Sequence, residues 1–302
     1  MSFVVGLGKL NIDLIYSGLS RIPNEGEEIY SSGFDIKLGG GTPATLVALK
    51  RLGIPVKLAT CLGKDIFSRF AEDKLLKEGI VPLNLYGGEG CAVNVSSALI
   101  TPRDRTFVTY GEDTYPDDKM LEKIYEMSKG AKVAIMQRGC AEVYRQLKKE
   151  GVILVLDIGW EDNLSIDSLS EYLSLADYFT PNKIEALKIT GASDVEEAGK
   201  ILAEYLDKVI IKLDNRGCFA MDGKKSFYVS QIETYGNKDS IGAGDAFLAG
   251  LIYGIYKGYG FYDSILCGNI SGGKCVTETG CLTARLCEKE LLEVLSKLSV
   301  KL

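Results

Sequence analysis

The sequence predicts a three-layer α/β/α fold, with a mostly parallel central sheet and a small β-sheet that protrudes from it. Two patterns lead to this prediction. From residue 117 onward, short apolar runs alternate with helical patterns, as is typical of a parallel sheet covered by helices on both faces. Before that point two extended pairs interrupt the alternation, and we expect them to form the protruding sheet together.

The first third of the chain contains short elements bounded by glycine and proline. They are a strand at 3–8, an extended pair within 13–38, helices at 45–52 and 67–78, a strand at 56–60, and a second extended pair at 92–101 and 105–110. Within 13–38, polar and apolar residues alternate on both sides of a turn at Pro23–Gly26. This pattern predicts a hairpin with one solvated face.

The remainder of the chain supplies the alternation of strands and helices. Strands are predicted at 132–136, 152–156, 178–180, 208–212, 217–221 and 226–229, and helices at 117–128, 141–149, 168–176, 183–190, 195–205, 246–257, 262–276 and 288–297. No internal repeat or linker occurs, so residues 1–302 are expected to form a single domain. The protruding sheet would comprise about residues 13–38 and 90–111, inserted in a body of residues 1–12, 39–89 and 112–302.

The composition is that of a globular protein, and it excludes several classes. A net charge of −6 argues against a general nucleic-acid binder, which needs a basic face. No run of about 18 apolar residues occurs and no basic leader precedes the first apolar run, so we expect a cytoplasmic protein without a membrane span or signal peptide. The eight cysteines match no common zinc-ligand spacing and are expected to be buried free thiols.

The chain contains no histidine. This absence excludes catalysis by Ser-His-Asp or Cys-His arrangements, histidine-bound zinc and the HExxH metalloproteases. Acid–base chemistry near neutral pH must therefore use a carboxylate, a lysine, a tyrosine or a cysteine.

A turn of small residues, Gly242-Ala243-Gly244-Asp245, precedes an apolar segment that is predicted to be a buried helix. Such a turn presents unshielded N–H groups at the positive end of the helix dipole, which is a site for phosphate. A carboxylate at this place repels phosphate, but it can take the proton from a hydroxyl that attacks phosphate. Asp245 is therefore either a catalytic base or a simple helix cap.

Two polar pairs follow predicted strands at the edge where open α/β sheets bind ligands. Asn182 and Glu185 fit a capping box at the start of a helix, and they could instead hold water around a magnesium ion that neutralises phosphates. Asn11 and Asp13 come just after the first strand. They suit either hydrogen bonds to the adjacent hydroxyls of a ligand or a turn into the hairpin.

One glycine pattern resembles a phosphate-binding P-loop without meeting its structural requirement. It is Gly268-x-x-x-x-Gly273-Lys274-Cys275, and no strand precedes it. Apolar residues at helical spacing continue across the glycines to Val276. We therefore expect a helix whose small residues pack closely against a neighbour.

Taken in order, these motifs resemble the ribokinase-like carbohydrate kinases, also called the phosphofructokinase B or PfkB family. The resemblance covers essentially the whole chain. Its motifs are Gly8-x-x-Asn11-x-Asp13, a Gly-Gly segment before a helix ending in Leu52-Gly53, Pro181-Asn182-x-x-Glu185, and the signature Asp239-Ser240-Ile241-Gly242-Ala243-Gly244-Asp245-x-Phe247. The last of these is the most specific.

The resemblance implies a role for each matching residue. Asp245 would be the base, and the N–H groups of Gly242, Ala243 and Gly244 would form an anion hole for the transferred phosphoryl group. The other implied contacts are Asn11, Asp13, Gly40, Gly41 and Thr45 to the acceptor, Asn182, Lys212, Asp214, Gly217 and Asn269 to the nucleotide, Asn182 and Glu185 to magnesium through water, and Asp239, Ile241 and Gly280 to a potassium ion. The protruding sheet would be a lid over the sugar that pairs with a second lid in a homodimer.

Three departures from the family pattern concern the substrates. The family usually has asparagine where this chain has Thr45, so we expect an acceptor other than ribose. The strand ending in Lys212-Leu213-Asp214 often reads Thr-Leu-Gly in relatives, and Asp214 would repel phosphates unless Lys212 offsets it. If Lys9 and Arg138 both reach the pocket, an acidic or phosphorylated sugar is expected; otherwise they are exposed charges on its rim.

The expected activity is magnesium-dependent transfer of the γ-phosphoryl group of ATP to a hydroxymethyl group of a monosaccharide. The alternatives are a nucleoside or sugar-phosphate kinase of the same family, and a catalytically silent sensor of sugars or nucleotides. The intact residues Gly242, Gly244 and Asp245 argue against the sensor, because a sensor has no use for a base beside an anion hole.

Overall fold

The computed structural model describes residues 2–111, 116–159, 161–232, 235–236 and 238–299. The strands in these ranges are β1 (Val4–Leu7), β2 (Asn11–Ser17), β3 (Gly33–Leu38), β4 (Val56–Thr60), β5 (Leu83–Asn84), β6 (Asn94–Ile100), β7 (Arg105–Tyr110), β8 (Val133–Met136), β9 (Ile153–Leu156), β10 (Tyr178–Phe179), β11 (Lys208–Lys212), β12 (Cys218–Asp222) and β13 (Lys225–Val229). The helices are α1 (Thr42–Arg51), α2 (Ile66–Lys77), α3 (Asp118–Ser128), α4 (Ala141–Lys149), α5 (Ile166–Leu175), α6 (Lys183–Thr190), α7 (Val195–Leu202), α8 (Ala243–Lys257), α9 (Phe261–Cys275) and α10 (Glu288–Ser299).

The central sheet has the strand order β13-β12-β11-β10-β9-β8-β1-β4-β5. Its strands are parallel except β12, which runs antiparallel to both of its neighbours. Because successive side chains of a strand point to opposite faces, Val4 lies in one hydrophobic core and Val5 in the other. Ile135 and Met136 of β8 alternate in the same way. Helices α1, α8 and α9 cover the Val4 face and α4, α5 and α7 the other, which confirms the three-layer fold.

The protruding sheet has the strand order β3-β2-β6-β7. Strands β2 and β6 pair in parallel, and the two outer strands run antiparallel to them. The two extended pairs therefore form one sheet, as predicted, and we call this four-stranded sheet the lid. Its outer strands carry apolar side chains in water: Phe34 of β3 is 56% exposed and Val108 of β7 is 69% exposed.

Helices α8 and α9 approach each other closely because glycines lie where they cross. A Cβ atom placed on Gly250 would lie 2.1 Å from the carbonyl oxygen of Cys267, and one on Gly254 would lie 2.6 Å from Cα of Ser264. Gly268, from the pattern that resembles a P-loop, lies against the ring of Phe247. This segment is part of a helix, as predicted, and its contacts fix the position of α8.

Other expectations from the sequence are met with small differences. Helix α1 begins three residues earlier than predicted and so does α8, because glycine-rich turns conceal where a helix starts. The two-residue strand β5 was not predicted, since so short a strand has no pattern of its own. All eight cysteines are free thiols, as expected, but only Cys140, Cys218, Cys267, Cys275 and Cys281 are buried; Cys61 and Cys91 are partly buried and Cys287 is exposed. In the described part of the chain, no helix has the length and apolarity needed to cross a membrane.

Candidate active site

The first turn of α8 is built around Gly242. This residue has φ 78°, in the left-handed region that favours glycine. It also has no room for a side chain, since an added Cβ would lie 2.1 Å from Cβ of Cys281. The helix that follows is buried at every position from Ala246 to Ile255. Of the three predicted anion-hole donors, the N–H of Ala243 already donates to the main-chain oxygen of Ser240 at 3.2 Å. Because the first N–H groups of a helix have no partner within it, the turn can still offer the N–H groups of Gly242 and Gly244 as donors beside the carboxylate of Asp245.

Asp245 is held by the start of α1. The N–H of Gly41 donates a hydrogen bond to Oδ2 of Asp245 at 3.0 Å. Gly40 lies so close that an added Cβ would be 2.5 Å from the same oxygen. Burial, with a smaller effect from the charge of Asp157, raises the pKa of Asp245 to about 6. The Gly41 N–H and Lys212 act in the opposite direction. A carboxylate with this pKa is ionised at neutral pH and suited to accept a proton.

The predicted acceptor residues lie on both sides of the Gly39–Gly41 segment. An added Cβ on Gly39 would be 2.7 Å from Nδ2 of Asn11 and 2.8 Å from Oδ2 of Asp13. The amide of Asn11 donates to Asp13, and its oxygen accepts from the hydroxyl of Ser96 at 3.1 Å. Burial raises the pKa of Asp13, and the Asn11 hydrogen bond offsets part of this effect. Asn11 and Asp13 therefore stand at one end of this segment and Asp245 at the other.

Thr45 occupies a different place from the one expected of a sugar ligand. It is fully buried in α1, and its hydroxyl donates to the main-chain oxygen of Asp245 at 3.2 Å. The main-chain oxygen of Gly41 is 3.5 Å from the same hydroxyl. Thr45 thus holds α1 against the first turn of α8 and supports Asp245 rather than facing a predicted acceptor. Threonine in a helix commonly bonds the carbonyl four residues back, so spacing alone could not reveal this role.

Lys212, at the end of β11, adds a positive charge beside the turn. A Cβ placed on Gly244 would lie 3.6 Å from Nζ of Lys212. The ammonium donates to Oδ1 of Asp157 at 2.9 Å. Burial alone would lower the pKa of Lys212, but nearby carboxylates, Asp157 first among them, raise it. Lys212 is therefore a fixed cation that can stabilise charge developing on a phosphoryl group.

The sequence interpretation missed Asp157. Its Oδ1 also accepts from the hydroxyl of Thr180 at 2.6 Å, so this carboxylate ties together the ends of β9, β10 and β11. The signal was present in the sequence, because Asp157 directly follows the buried run Ile153–Leu156. The same position, just after a buried strand, had drawn attention to Asn11.

Asn182 and Glu185 form the predicted capping box of α6. The N–H of Glu185 donates to Oδ1 of Asn182 at 2.9 Å, and the N–H of Asn182 donates to Oε2 of Glu185 at 2.7 Å. Glu185 is 5% exposed, and burial raises its pKa while the Asn182 N–H and Lys212 lower it. The cap engages Oε2 and leaves Oε1 of this buried carboxylate for another partner. Oxygen donors of this kind fit magnesium held through water.

Asp214, Gly217 and Asn269 surround the end of the β12–β13 hairpin. Asp214 has φ 54°, which accounts for a preference for glycine at its position. An added Cβ on Gly217 would lie 2.0 Å from the carbonyl oxygen of Val229. Asn269 is 8% exposed and donates to the carbonyl oxygen of Ser230 at 2.9 Å. These contacts stabilise the fold at the end of the hairpin. A role in nucleotide binding stays a prediction for all three residues.

Asp239, Ile241 and Gly280, the predicted ligands of a monovalent cation, do come together. The N–H of Ile241 donates to Oδ1 of Asp239 at 3.0 Å, and that of Gly280 donates to Oδ2 at 2.8 Å. The guanidinium of Arg105, from the lid, also donates to Oδ1 at 3.1 Å. N–H donors thus take up three acceptor positions of this carboxylate. The arrangement around Asp239 does not fit a monovalent cation.

Comparison with known proteins gives a consistent result. The family model of the pfkB family carbohydrate kinases matches residues 1–286. Ribokinase of Haemophilus influenzae is 26% identical over 307 residues, which cover 96% of this chain and 97% of that protein. Aminoimidazole riboside kinase of Salmonella typhimurium is 26% identical over 276 residues, covering 82% of this chain and 85% of that protein.

A solved structure agrees with the fold. Arabidopsis thaliana ribokinase, complexed with ribose and ATP, matches with a TM-score of 0.85 at 22% identity, over 98% of this chain and 99% of that one. This likeness establishes the ribokinase-like fold. Because the family match spans nearly the whole chain, the protein belongs to the PfkB family of carbohydrate kinases, which are phosphotransferases with an alcohol group as acceptor.

Proposed function

We propose that the protein transfers the γ-phosphoryl group of ATP to a hydroxymethyl group of a sugar. The observation that carries this proposal is Asp245, a carboxylate with a pKa raised to about 6 in the first turn of α8. A base at a helix N-terminus is useful where a hydroxyl must be deprotonated beside a phosphoryl group. The ribokinase and riboside kinase among the relatives support a sugar or riboside acceptor.

The geometry supports direct in-line transfer. The acceptor hydroxyl donates to Asp245, while Asn11 and Asp13 bind other hydroxyls of the same molecule. As the hydroxyl oxygen attacks phosphorus, its proton moves to Asp245 and the bond from phosphorus to the leaving oxygen of ADP breaks. The N–H groups of the Gly242 turn and the ammonium of Lys212 stabilise the charge on the transferred group. Magnesium, when bound, neutralises the phosphates of ATP.

Measurement of ATP turnover over a panel of sugars and nucleosides tests this proposal. We expect a sugar to be phosphorylated at a primary hydroxyl, with product position assigned by nuclear magnetic resonance. Faster phosphorylation of nucleosides would favour the nucleoside kinase alternative. Binding without turnover across the panel would favour the sensor.

The activity should fall in acid with the titration of Asp245. Only the ionised carboxylate can accept the proton, and the pKa of Asp245 is about 6. We therefore expect kcat/KM to rise about tenfold per pH unit below pH about 6 and to level off above it. Rates measured from about pH 5 to about pH 8, with an acceptor that does not titrate there, check this. A flat profile down to pH about 5 would contradict the assignment of the base.

Glu185→Gln should weaken the response to magnesium. Glutamine can still accept the N–H of Asn182, so the capping box survives, but the negative charge is lost. We expect the magnesium concentration for half-maximal rate to rise by about 10-fold to 100-fold, while the KM for the acceptor changes less than about twofold. Glu197→Gln, in the exposed cap of α7, is the matched control. Equal losses of magnesium response and acceptor binding would point to a purely structural role.

The lid is proposed to pair with the lid of a second copy. On the face of the lid that points away from Asp13, its exposed apolar side chains include Phe34, Ile36 and Val108. Contiguous exposed apolar surface and open strand edges commonly mark interfaces. Sedimentation should show a dimer, which Val108→Asp converts to a folded monomer. Val81→Asp, at a position that is 80% exposed on the body, should leave the dimer intact. A wild-type protein that sediments only as a monomer would refute this arrangement.

A further inference from the structure

A cavity of about 480 Å³ lies at the ends of β1, β4 and β8, and we call it the strand-end cavity. Its lining includes Lys9, Thr60, Arg138 and Glu161. Lys9 precedes Asn11 by two residues, so the cavity lies at the same edge of the sheet as the proposed acceptor residues. Strands β1 and β8 are neighbours in the sheet, which brings Lys9 and Arg138 to the same edge. Both therefore reach a pocket and are not merely charges on its rim.

Two side chains in the wall of the strand-end cavity bury polar atoms that have no hydrogen-bond partner among the described residues. They are Oγ1 of Thr60 and both Nε and Nη2 of Arg138. Thr60 is 1% exposed, and the side chain of Arg138 is 18% exposed. Nearly all buried polar atoms in native proteins are hydrogen-bonded, so these atoms point to a partner that enters the cavity.

The two atoms of Arg138 that lack a hydrogen bond indicate the shape of that partner. Nε and Nη2 lie on one edge of the guanidinium group, and this edge can bind two oxygens of one carboxylate or phosphate. Oε1 of Glu161 lies 3.3 Å from Nε, within ion-pair distance but without hydrogen-bond geometry. Glu161 is 40% exposed, so its carboxylate can turn towards water when another anion arrives.

Lys9 adds a second cation to the strand-end cavity. Burial raises the pKa of Cys61, which also lines the cavity, and the charge of Lys9 opposes this effect. The ammonium of Lys9 is thus close to the cavity wall. Glu161 and Asp162 also line the cavity and balance these two cations, so an anionic group binds there when Glu161 turns away from Arg138.

We propose that the acceptor is an acidic sugar, whose carboxylate or phosphate group binds Arg138, Thr60 and Lys9 in the strand-end cavity while its hydroxymethyl group meets Asp245. This substrate class rests on the proposed kinase function and extends it. A neutral monosaccharide has no anionic group that could replace Glu161 at the Nε–Nη2 edge of Arg138. An acidic sugar supplies acceptor oxygens to that edge and to the Thr60 hydroxyl in one binding mode.

Paired acceptors test the proposal. We expect kcat/KM for the best sugar acid or sugar phosphate to exceed that of its neutral counterpart by about tenfold or more. Comparing sugar acids with sugar phosphates shows whether the preferred anionic group is a carboxylate or a phosphate. Arg138→Met should reduce the preference for the acidic sugar by about 10-fold to 100-fold. Arg145 is an exposed arginine of α4, and Arg145→Met is the matched control. It should leave the preference for the acidic sugar unchanged.

Direct binding separates this proposal from the proposed function. Calorimetry with the acidic sugar should show binding to the wild-type protein that Arg138→Met weakens and Arg138→Lys partly restores. If the wild type and Arg138→Met both prefer neutral sugars, the proposal of an acidic acceptor is wrong and the kinase function still stands. Acidic sugars that bind through Arg138 without turnover would leave the strand-end site standing and overturn the kinase function.

A second inference concerns Arg105, the first residue of β7 in the lid. Its Nη1 donates to Oδ1 of Asp239 at 3.1 Å, and its Nη2 donates to the hydroxyl of Ser240 at 3.4 Å. Asp239 is only 11% exposed and bridges the loops at Ile241 and Gly280. We infer that Arg105 is a positioning residue of the anion hole, which fixes the loop into the Gly242 turn and supplies the positive charge beside it.

Cation dependence tests this inference, which also rests on the proposed function. Wild-type turnover should be the same in potassium and in sodium salts. Arg105→Ala should lower kcat by about tenfold or more with little change in the acceptor KM, and added potassium or guanidinium should restore part of it. Arg105→Lys should keep most of the activity. Arg103→Ala, in the adjacent exposed turn, is the control.

The outcomes are distinct. An active wild-type protein that needs potassium, or Arg105→Ala with wild-type kcat, would overturn the role of Arg105 alone. A wild-type protein without turnover on any acceptor would instead overturn the kinase function.

Discussion

Asp245→Asn should lower kcat by about a hundredfold to ten-thousandfold, while the affinities for ATP and acceptor change by only a few fold. Asparagine has nearly the shape of aspartate and keeps an oxygen that can accept the N–H of Gly41. It cannot take the proton of the acceptor hydroxyl. Initial rates, with binding measured separately by calorimetry, give both quantities. Turnover equal to the wild type would refute the assignment of the base.

Thermal unfolding shows whether the loss comes from the chemistry or from a damaged fold. The pKa of Asp245 is raised in the folded protein from 3.8 to about 6. The stability that this group confers in its neutral form is therefore lost as pH rises from 3.8 through about 6. Asparagine does not ionise, so Asp245→Asn should melt at a higher temperature than the wild type above pH about 6, and the difference should shrink in acid. Asp73→Asn, on the exposed face of α2, should alter neither rate nor melting.

Lys212→Met should produce the second large effect. The ammonium of Lys212 lies beside Gly244 and pairs with Asp157. Its loss removes the positive charge that would lie next to the transferred phosphoryl group, and it leaves the partly buried carboxylate of Asp157 without its cation. We expect kcat to fall by about a hundredfold or more. Because Lys212 lowers the pKa of Asp245, the acid limb of the pH profile should also move to higher pH. Rates across pH measure both changes.

Two companion variants separate charge from stability. Lys208 lies on the same strand and pairs with Asp222, away from the Gly242 turn. Lys208→Met should therefore keep the wild-type pH profile. Adding Asp157→Asn to Lys212→Met removes the unpaired carboxylate and should recover melting temperature without recovering kcat. Recovery of kcat in this double variant would show that Lys212 acts only through the fold.

Local patterns were enough to predict most of the fold. Strands such as β8 and β11 are short apolar runs, and helices such as α4 have clear periodicity, so their positions are close to the predicted ones. The starts of α1 and α8 were placed too late, because a glycine-rich turn looks like a loop in sequence. Pairing within the lid was predictable in outline, since only two extended pairs fell outside the strand–helix alternation.

The site residues were predictable where a side chain of suitable chemistry follows a predicted strand or lies in a recognisable glycine-rich turn. Asp245 stands in a recognisable turn, and Asn182 and Asp13 follow strand ends. The contact between Arg105 and Asp239 joins residues that are 134 positions apart, and no local signal reveals such a pair. Thr45 was misinterpreted for a related reason. Which face of α1 it occupies depends on where α8 packs, and that packing is set by the tertiary fold.

The glycines between α8 and α9 have a consequence for experiments that map mutational tolerance. Gly250 and Gly254 touch no proposed ligand, yet any side chain there would collide with the backbone of α9. A substitution at either glycine would abolish activity, because it would displace α8 and, with it, Asp245. A tolerance map would thus mark a stripe of intolerant positions running away from the active site. In this protein such a stripe records how closely two helices approach and does not outline a second ligand site.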